Sequence, residues 1–291
     1  MPQIVISASR RTDIPAFYMP WFMAGIDAGY FEVLNPYNRR TVRVPATLDQ
    51  VHSIVFWSKN FGPFWDHGYA KELVRRGYRL FFNFTINSVH PVLEPMLPPL
   101  TVRLSQLGRL VDTFGPDCIQ WRFDPICFFT KRSGHMTDNL DQFEIIASRA
   151  AQLGLRLCIT SFVDLYRKVL RRAGEQCDLQ LIDPPMPQKI ATIGRLADHL
   201  AGLDMQLQLC CEKNLLDALP PGLTVSASSC IPNDRLTDLF GPGISLAKDS
   251  GQRKAAGCTC GVSKDIGSYN LHPCSHNCLF CYANPKRDVQ S

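Results

Sequence analysis

An α/β fold built as a single TIM-like (β/α) barrel is predicted for this chain from three observations. Short continuous apolar runs recur eight times along 291 residues, and stretches of helical period lie between most of them. Polar and charged residues gather directly after the runs, where the functional ends of barrel strands belong. A cysteine-rich tail follows, in which the strand patterning stops.

The apolar runs cover 4–9, 31–34, 53–57, 80–86, 119–123, 155–162, 205–209 and 223–227. They are rich in β-branched and aromatic residues and too short to be amphipathic helices, as strands covered on both faces should be. Helices are expected over 69–76, 102–114, 139–153 and 189–200; the last aligns Ile190, Ile193, Leu196, Ala197 and Leu200 on one face. Strands alternating with helices imply parallel βαβ units. Eight such units make a barrel, incomplete or circularly permuted in its variants, with a doubly wound open sheet as the alternative. The proline-rich stretches 90–100 and 183–187 read as rigid surface connections. After Leu246, Gly, Lys and Cys dominate. The expected division is therefore a barrel over 1–246 and a cysteine-rich, iron–sulfur-binding extension over 247–291, packed on one end of it.

Composition narrows the function classes. With 45% hydrophobic and 20% charged residues and a formal charge of +5, the chain reads as an ordinary globular protein without the dense basic face of a dedicated nucleic-acid binder. A local basic groove stays compatible with nucleic acid. The opening MPQIVISASRRTDIP lacks a charged segment followed by an apolar core, and no apolar run approaches the roughly 18 residues of a membrane span. A cytoplasmic location without membrane partners is expected.

Twelve cysteines are many for such a chain, and five of them, Cys258, Cys260, Cys274, Cys278 and Cys281, fall in the last 34 residues. Tight clustering without an export signal favours metal over disulfides. Cys118, Cys127 and Cys158 sit in apolar runs and read as small buried hydrophobes. Cys274-x3-Cys278-x2-Cys281 brings three thiolates close enough to hold three irons of a 4Fe-4S cluster, which leaves the fourth iron open. Cys258 and Cys260 then supply the fourth ligand or a second site. Zinc is the alternative: Cys258-x-Cys260 with Cys278-x2-Cys281 makes two short pairs of a zinc ribbon, but strands Cys274. His272 and His276, close by, fit outer hydrogen-bond donors better than ligands.

The polar residues carried on the strands toward their ends or directly after them are Ser9-Arg10-Arg11-Thr12-Asp13, Ser58-Lys59-Asn60, Asn83 and Thr85, Arg122 and Asp124, Thr160 and Ser161, and Cys210-Cys211-Glu212. Together they point to a polar or anionic substrate met by Arg10, Arg11, Lys59 or Arg122. Arg10, Asp13, Lys59, Arg122, Asp124 and Glu212 are the catalytic candidates. Each has a structural reading as well: Arg122 and Asp124 as an ion pair, and Thr12 or Asp13 as the cap of a helix begun by Pro15. Phosphate-loop, dinucleotide, zinc-protease and nucleophile-elbow motifs are absent.

The cysteine motif, with Phe280 before its last cysteine, resembles the cluster loop of the radical S-adenosylmethionine (SAM) superfamily. That resemblance implies SAM on the open iron and its reductive cleavage to methionine and a 5′-deoxyadenosyl radical. It also implies a ferredoxin- or flavodoxin-type reductant as partner. The whole chain resembles the domain of unknown function 1848 family through 6–15 (ISASRRTDIP), 56–60 (FWSKN), 122–125 (RFDP) and 258–284. Radical SAM enzymes carry the loop after their first strand, whereas here it is near the C-terminus, and no Gly-Gly-Glu-like run is present. A circular permutation reconciles the two. The tail loop would then precede strand 4–9 in space, and Ser9, Arg10 and Asp13 would stand where the superfamily contacts SAM. A fully cysteine-capped cluster for electron transfer or structure, and a zinc-stabilised barrel hydrolase using Asp13, Asp124 and Glu212, are the competing readings.

Overall fold

The computed structural model describes residues 2–34, 40–131, 134–176 and 179–283, with backbone alone at 131, 175 and 176. In chain order its strands are β1 (Ile4–Ala8), β2 (Tyr30–Leu34), β3 (Thr41–Pro45), β4 (Val51–Ser58), β5 (Leu80–Thr85), β6 (Ile119–Ile126) and β7 (Phe128–Lys131). They continue with β8 (Met136–Asp138), β9 (Leu157–Phe162), β10 (Leu179–Ile182), β11 (Gln206–Leu209), β12 (Val225–Ala227) and β13 (Lys264–Asp265).

Eight of these form one sheet in the order β13-β1-β4-β5-β6-β9-β11-β12, and every neighbouring pair is parallel. The α/β prediction holds at this level. The closed barrel does not: among the described residues β12 and β13 are free edges. Seven strands follow one another in chain order, while the last strand of the chain, β13, stands before the first. Parallel neighbours need crossover connections, and helices such as Leu100–Phe114 and Met186–Ala201 supply them.

Within the main sheet the strand patterning failed at one place and missed another, and outside it β3 and the separate β10-β7-β8 sheet were not expected. Segment 31–34 is not in the main sheet; β2 pairs antiparallel with β3 in a separate hairpin. Its alternation of buried Phe31 and Val33 with exposed Glu32 and Leu34 is the mark of a strand covered on one face only. The eighth sheet strand is Lys264–Asp265, a pair with no apolar pattern. It is held by backbone pairing of Lys264 with Ile6 and of Asp265 with Ser7, extended by the Ile266 N–H to Ser7 carbonyl bond at 3.0 Å. The tail therefore completes the sheet as well as packing on it.

Helix 139–153 starts later than predicted, at Phe143. Asn139 is buried and its side chain accepts from Cys127 N at 2.8 Å and donates to the Pro125 carbonyl at 3.1 Å, so it bridges the turn beyond β6 instead. The proline-rich stretches are also more than connections. Pro185 and Pro187 open helix Met186–Ala201, and Leu93 and Glu94 of the first stretch are buried. The core between sheet and helices holds Phe56, Phe61, Phe64, Phe82 and Phe84, all fully buried, with ring centroids 5.0–6.0 Å apart in edge, tilted and stacked pairs. Truncating any one to alanine should cost about 3–5 kcal/mol. This core fixes the C-terminal ends of β1, β4, β5 and β6, where the candidate residues lie. Among the described residues no helix is long and apolar enough to cross a membrane.

Candidate functional site

The loop after β1 is organised by two carboxylates. Asp13 caps helix Ile14–Phe17 by accepting from Ala16 N at 3.0 Å, with Pro15 in the first turn. It also accepts from the Ser58 hydroxyl at 2.8 and 2.9 Å, from Lys59 N at 2.9 Å and from His276 Nε2 at 2.8 Å. One buried carboxylate thus ties the ends of β1 and β4 to the tail. Asp265, on β13, does the same from the other side. It accepts from the Ser7 hydroxyl at 2.7 Å and from Arg10 N at 2.9 Å, and pairs with Arg11 Nε at 3.1 Å.

The tail loop is docked against those strand ends. Tyr18 Oη donates to the Pro273 carbonyl at 2.5 Å, and Leu279 N donates to the Leu93 carbonyl at 2.8 Å. Tyr282 donates to the Arg10 carbonyl and Arg172 to the Cys281 carbonyl. His272 packs on Trp21, centroids 4.3 Å apart, and His276 on Phe17 at 4.7 Å. Asn277, at φ 53°, makes the left-handed turn that doubles the chain back between the second and first cysteines of the motif.

Cys274, Cys278 and Cys281 are carried on this loop, Cys278 buried and the others half-buried. Burial pushes all three thiols up, Cys274 to about 12. Lys59 pulls Cys278 back down, as Arg172 and Lys59 do Cys281. Lys59 in turn pairs with the buried Glu94 at 2.5 Å, and Glu94 Oε1 is 3.9 Å from the Cys278 sulfur. Burial alone would lower the Lys59 ammonium, but Glu94 and Cys278 hold it above its ordinary value.

Cys258 and Cys260 belong to a different group. Cys210 Sγ is 3.9 Å from Cys211 Sγ and 3.7 Å from Cys230 Sγ. Cys260 is in side-chain contact with Cys230 and Cys258, and Cys258 with Cys211. Two arginines face these sulfurs. Arg122 Nη1 donates to Cys230 Sγ at 2.6 Å while its Nη2 pairs with Asp124. The Arg10 guanidinium faces Cys260, with Nη2 buried and without a hydrogen-bond partner. Trp57 lies between them, each guanidinium 5.5 Å from its ring, with the indole N–H donated to Ser7 Oγ at 3.1 Å. Asn83 holds the Cys230 carbonyl at 2.9 Å.

A cavity of about 300 Å³ is lined by all five cysteines of the second group and, from the tail loop, by Phe280 and Cys281. Arg10, Lys59, Thr85, Arg122, Asp124 and Ser161 line it with Cys210 and Cys211, so eight strand-end residues named from the sequence converge on one space. Ser161 Oγ donates to Asp124 at 2.5 Å, and the Arg122–Asp124 ion pair expected as the structural reading is present. Ser9 and Asp13 are elsewhere: Ser9 Oγ accepts from Arg11 N at 2.9 Å, and Asp13 is filled by its four donors. Of the three residues expected to meet SAM, Arg10 alone lines the cavity. Glu212 stands outside it, accepting from Phe162 N at 2.8 Å, with its carboxyl pushed up to about 7 by burial.

Glu94, Trp57, Asp265 and Cys230 escaped the sequence reading. Glu94 hides in a proline-rich loop, Asp265 in a strand without pattern, and Trp57 inside an apolar run. For Cys230 the one available signal was a third cysteine 19 residues beyond the adjacent pair Cys210-Cys211.

Residues 5–283 match the family described as domain of unknown function (DUF1848). The chain belongs to this family. The match spans nearly everything that builds the cavity, including β1, all the cysteines named above and the tail loop; Asn284, the end of the segment that carried the resemblance, lies outside the described residues. No curated protein matches this DUF1848 chain.

Proposed function

We propose that this DUF1848 protein is an iron–sulfur enzyme of radical-SAM type in permuted order, with a 4Fe-4S cluster on Cys274, Cys278 and Cys281. The observation that carries the reading is the place of β13. It lies parallel beside β1 and is followed by the cysteine loop, so in space a strand and its cysteine loop precede β1, although in sequence they come last. The donor set fits a cluster with one open iron. Three thiols share one loop beside Lys59 and Arg172, while the next nearest in sequence, Cys258 and Cys260, are engaged with Cys211 and Cys230. That arrangement disfavours a cap from Cys258 or Cys260.

A bound cluster would supply one electron to the sulfonium of SAM, releasing methionine and a 5′-deoxyadenosyl radical. The chain's own residues do the rest. Lys59 and Arg172 favour thiolates on the loop; Asp13, through His276, fixes the loop against β1 and β4. Arg10, with a buried donor to spare, and Arg122 offer the cavity two cations for a carboxylate or an anionic substrate. Apolar surface from Trp57, Phe162 and Phe280 excludes water.

Anaerobic reconstitution tests this. The reduced protein should give a cluster resonance in electron paramagnetic resonance that shifts on adding SAM, and dithionite plus SAM should yield 5′-deoxyadenosine. Cys278→Ala should abolish the SAM-dependent shift and the 5′-deoxyadenosine. A resonance indifferent to SAM, with no 5′-deoxyadenosine formed, would overturn the proposal.

A further inference from the structure

We propose that Cys210, Cys211, Cys230, Cys258 and Cys260 form a second metal centre, a thiolate-ligated iron–sulfur cluster on the cavity that Cys281 of the tail triad also lines. The five come from three separate segments: the end of β11, the loop after β12, and the turn that precedes β13. Packing alone has no reason to gather five thiols from such distant positions, because small apolar residues would fill the space without the hazard of mutual oxidation.

Their contacts close into a ring: Cys211 to Cys210 to Cys230 to Cys260 to Cys258 and back to Cys211. All five are free thiols, and the sulfur separations of 3.9 Å for Cys210–Cys211 and 3.7 Å for Cys210–Cys230 are far beyond the roughly 2.05 Å of a disulfide. A single tetrahedral ion draws four donors into mutual contact. Here five thiols each touch two neighbours in a ring, one donor more than a tetrahedral ion takes. A ring of more than four sulfurs suits a polynuclear body, about which the thiols spread as it enters.

The surroundings match such a body in charge. Four thiolates on a 4Fe-4S core in its oxidised form leave a net dianion, and the ring is flanked by two guanidiniums, Arg122 bonded to Cys230 at 2.6 Å and Arg10 against Cys260. Hydrogen bonds to cluster sulfurs are one of the means by which a protein raises the reduction potential. The ring shares the cavity with Cys281, so a centre there is placed to exchange electrons with, or to bind a substrate for, chemistry at the triad. The assignment rests on the ring's own residues and stands whether or not the triad binds SAM.

The test uses the full chain with the triad removed, C274A/C278A/C281A, reconstituted anaerobically beside the parent. About half the parent's iron and acid-labile sulfide, with brown thiolate-to-iron absorption, is the expected result. The reciprocal C210S/C230S/C260S protein should also keep about half, now on the triad and responsive to SAM. A triad-less protein that folds by circular dichroism but holds neither iron nor sulfide, or holds zinc alone, overturns the proposal. In the triad-less background Arg122→Met should move the potential of the retained centre negative; an unchanged potential would place that iron elsewhere and refute the assignment.

Discussion

Removing Glu94 should destabilise the protein more than removing any exposed charge, because the Lys59 ammonium would be left without its partner. Lys59 and Glu94 meet at 2.5 Å with side chains 17% and 4% exposed. Breaking a buried pair from one side costs about 3–5 kcal/mol, since the surviving charge keeps its desolvation penalty. Lys59 retains some access to solvent and a cation–π contact with Phe280 at 5.4 Å, which places Glu94→Ala near the lower end, about 3 kcal/mol. With an unfolding entropy of about 2.1 cal/mol/K per residue over 291 residues, the melting temperature should fall by roughly 5 °C. The double variant Lys59→Met/Glu94→Leu removes both charges and should return to within about 1 kcal/mol of the parent. Urea titration of the parent, Lys59→Met, Glu94→Leu and the double variant measures the coupling directly. If Glu94→Ala unfolds within about 1 kcal/mol of the parent, or if the double variant is as weak as the single, the pair does not hold the loop as argued.

Three further outcomes follow from other parts of the site. Glu212 binds its proton more tightly folded than unfolded, so stability should fall as pH rises from about 4.5 to about 7 and then level off. At about 1.4 kcal/mol per pH unit the full loss is roughly 3–4 kcal/mol, and Glu212→Gln should remove the slope in denaturation at pH 5 and pH 8; a persistent slope sinks the assignment to Glu212. Gly261→Ala would put a methyl 2.3 Å from Asn233 Cγ, displacing the segment that carries Cys260, at a cost of about 1–3 kcal/mol and with loss of metal from the five-thiol group. Unchanged metal content in that variant would show that the close approach is not needed. His276→Ala removes the buried bond to Asp13 at 2.8 Å, and amide exchange over 274–281 should accelerate while that of β5 does not. Equal protection in both proteins would mean that the other docking contacts suffice.

The parallel strands were legible because strands covered on both faces must be continuously apolar, and β4, β5, β6 and β9 read so at sight. The cysteine motif was legible as a motif because it is a local spacing: three thiols within eight residues share one loop wherever that loop is placed. The strand-end rule also found most of the cavity, Arg10, Lys59, Arg122 and Asp124 among them. It could not separate Asp13 and Ser9, which share the same loop with Arg10 but turn inward to donors 45 and more residues away or to the loop itself.

Tertiary structure alone decided the rest. Lys264–Asp265 becomes a strand by borrowing the open edge of β1, a backbone bond to which side-chain pattern is blind. Cys258 and Cys260 lie closer in sequence to the triad, yet side with Cys210, Cys211 and Cys230, because the chain returns across the ends of β11 and β12 before it reaches β13. Sequence by itself determined that this protein has thiols spaced for a metal and a parallel sheet to present them. Which thiols stand together, and that both groups reach one cavity, depends on contacts between distant residues, such as Asp13 and His276, 263 positions apart, which no local pattern encodes.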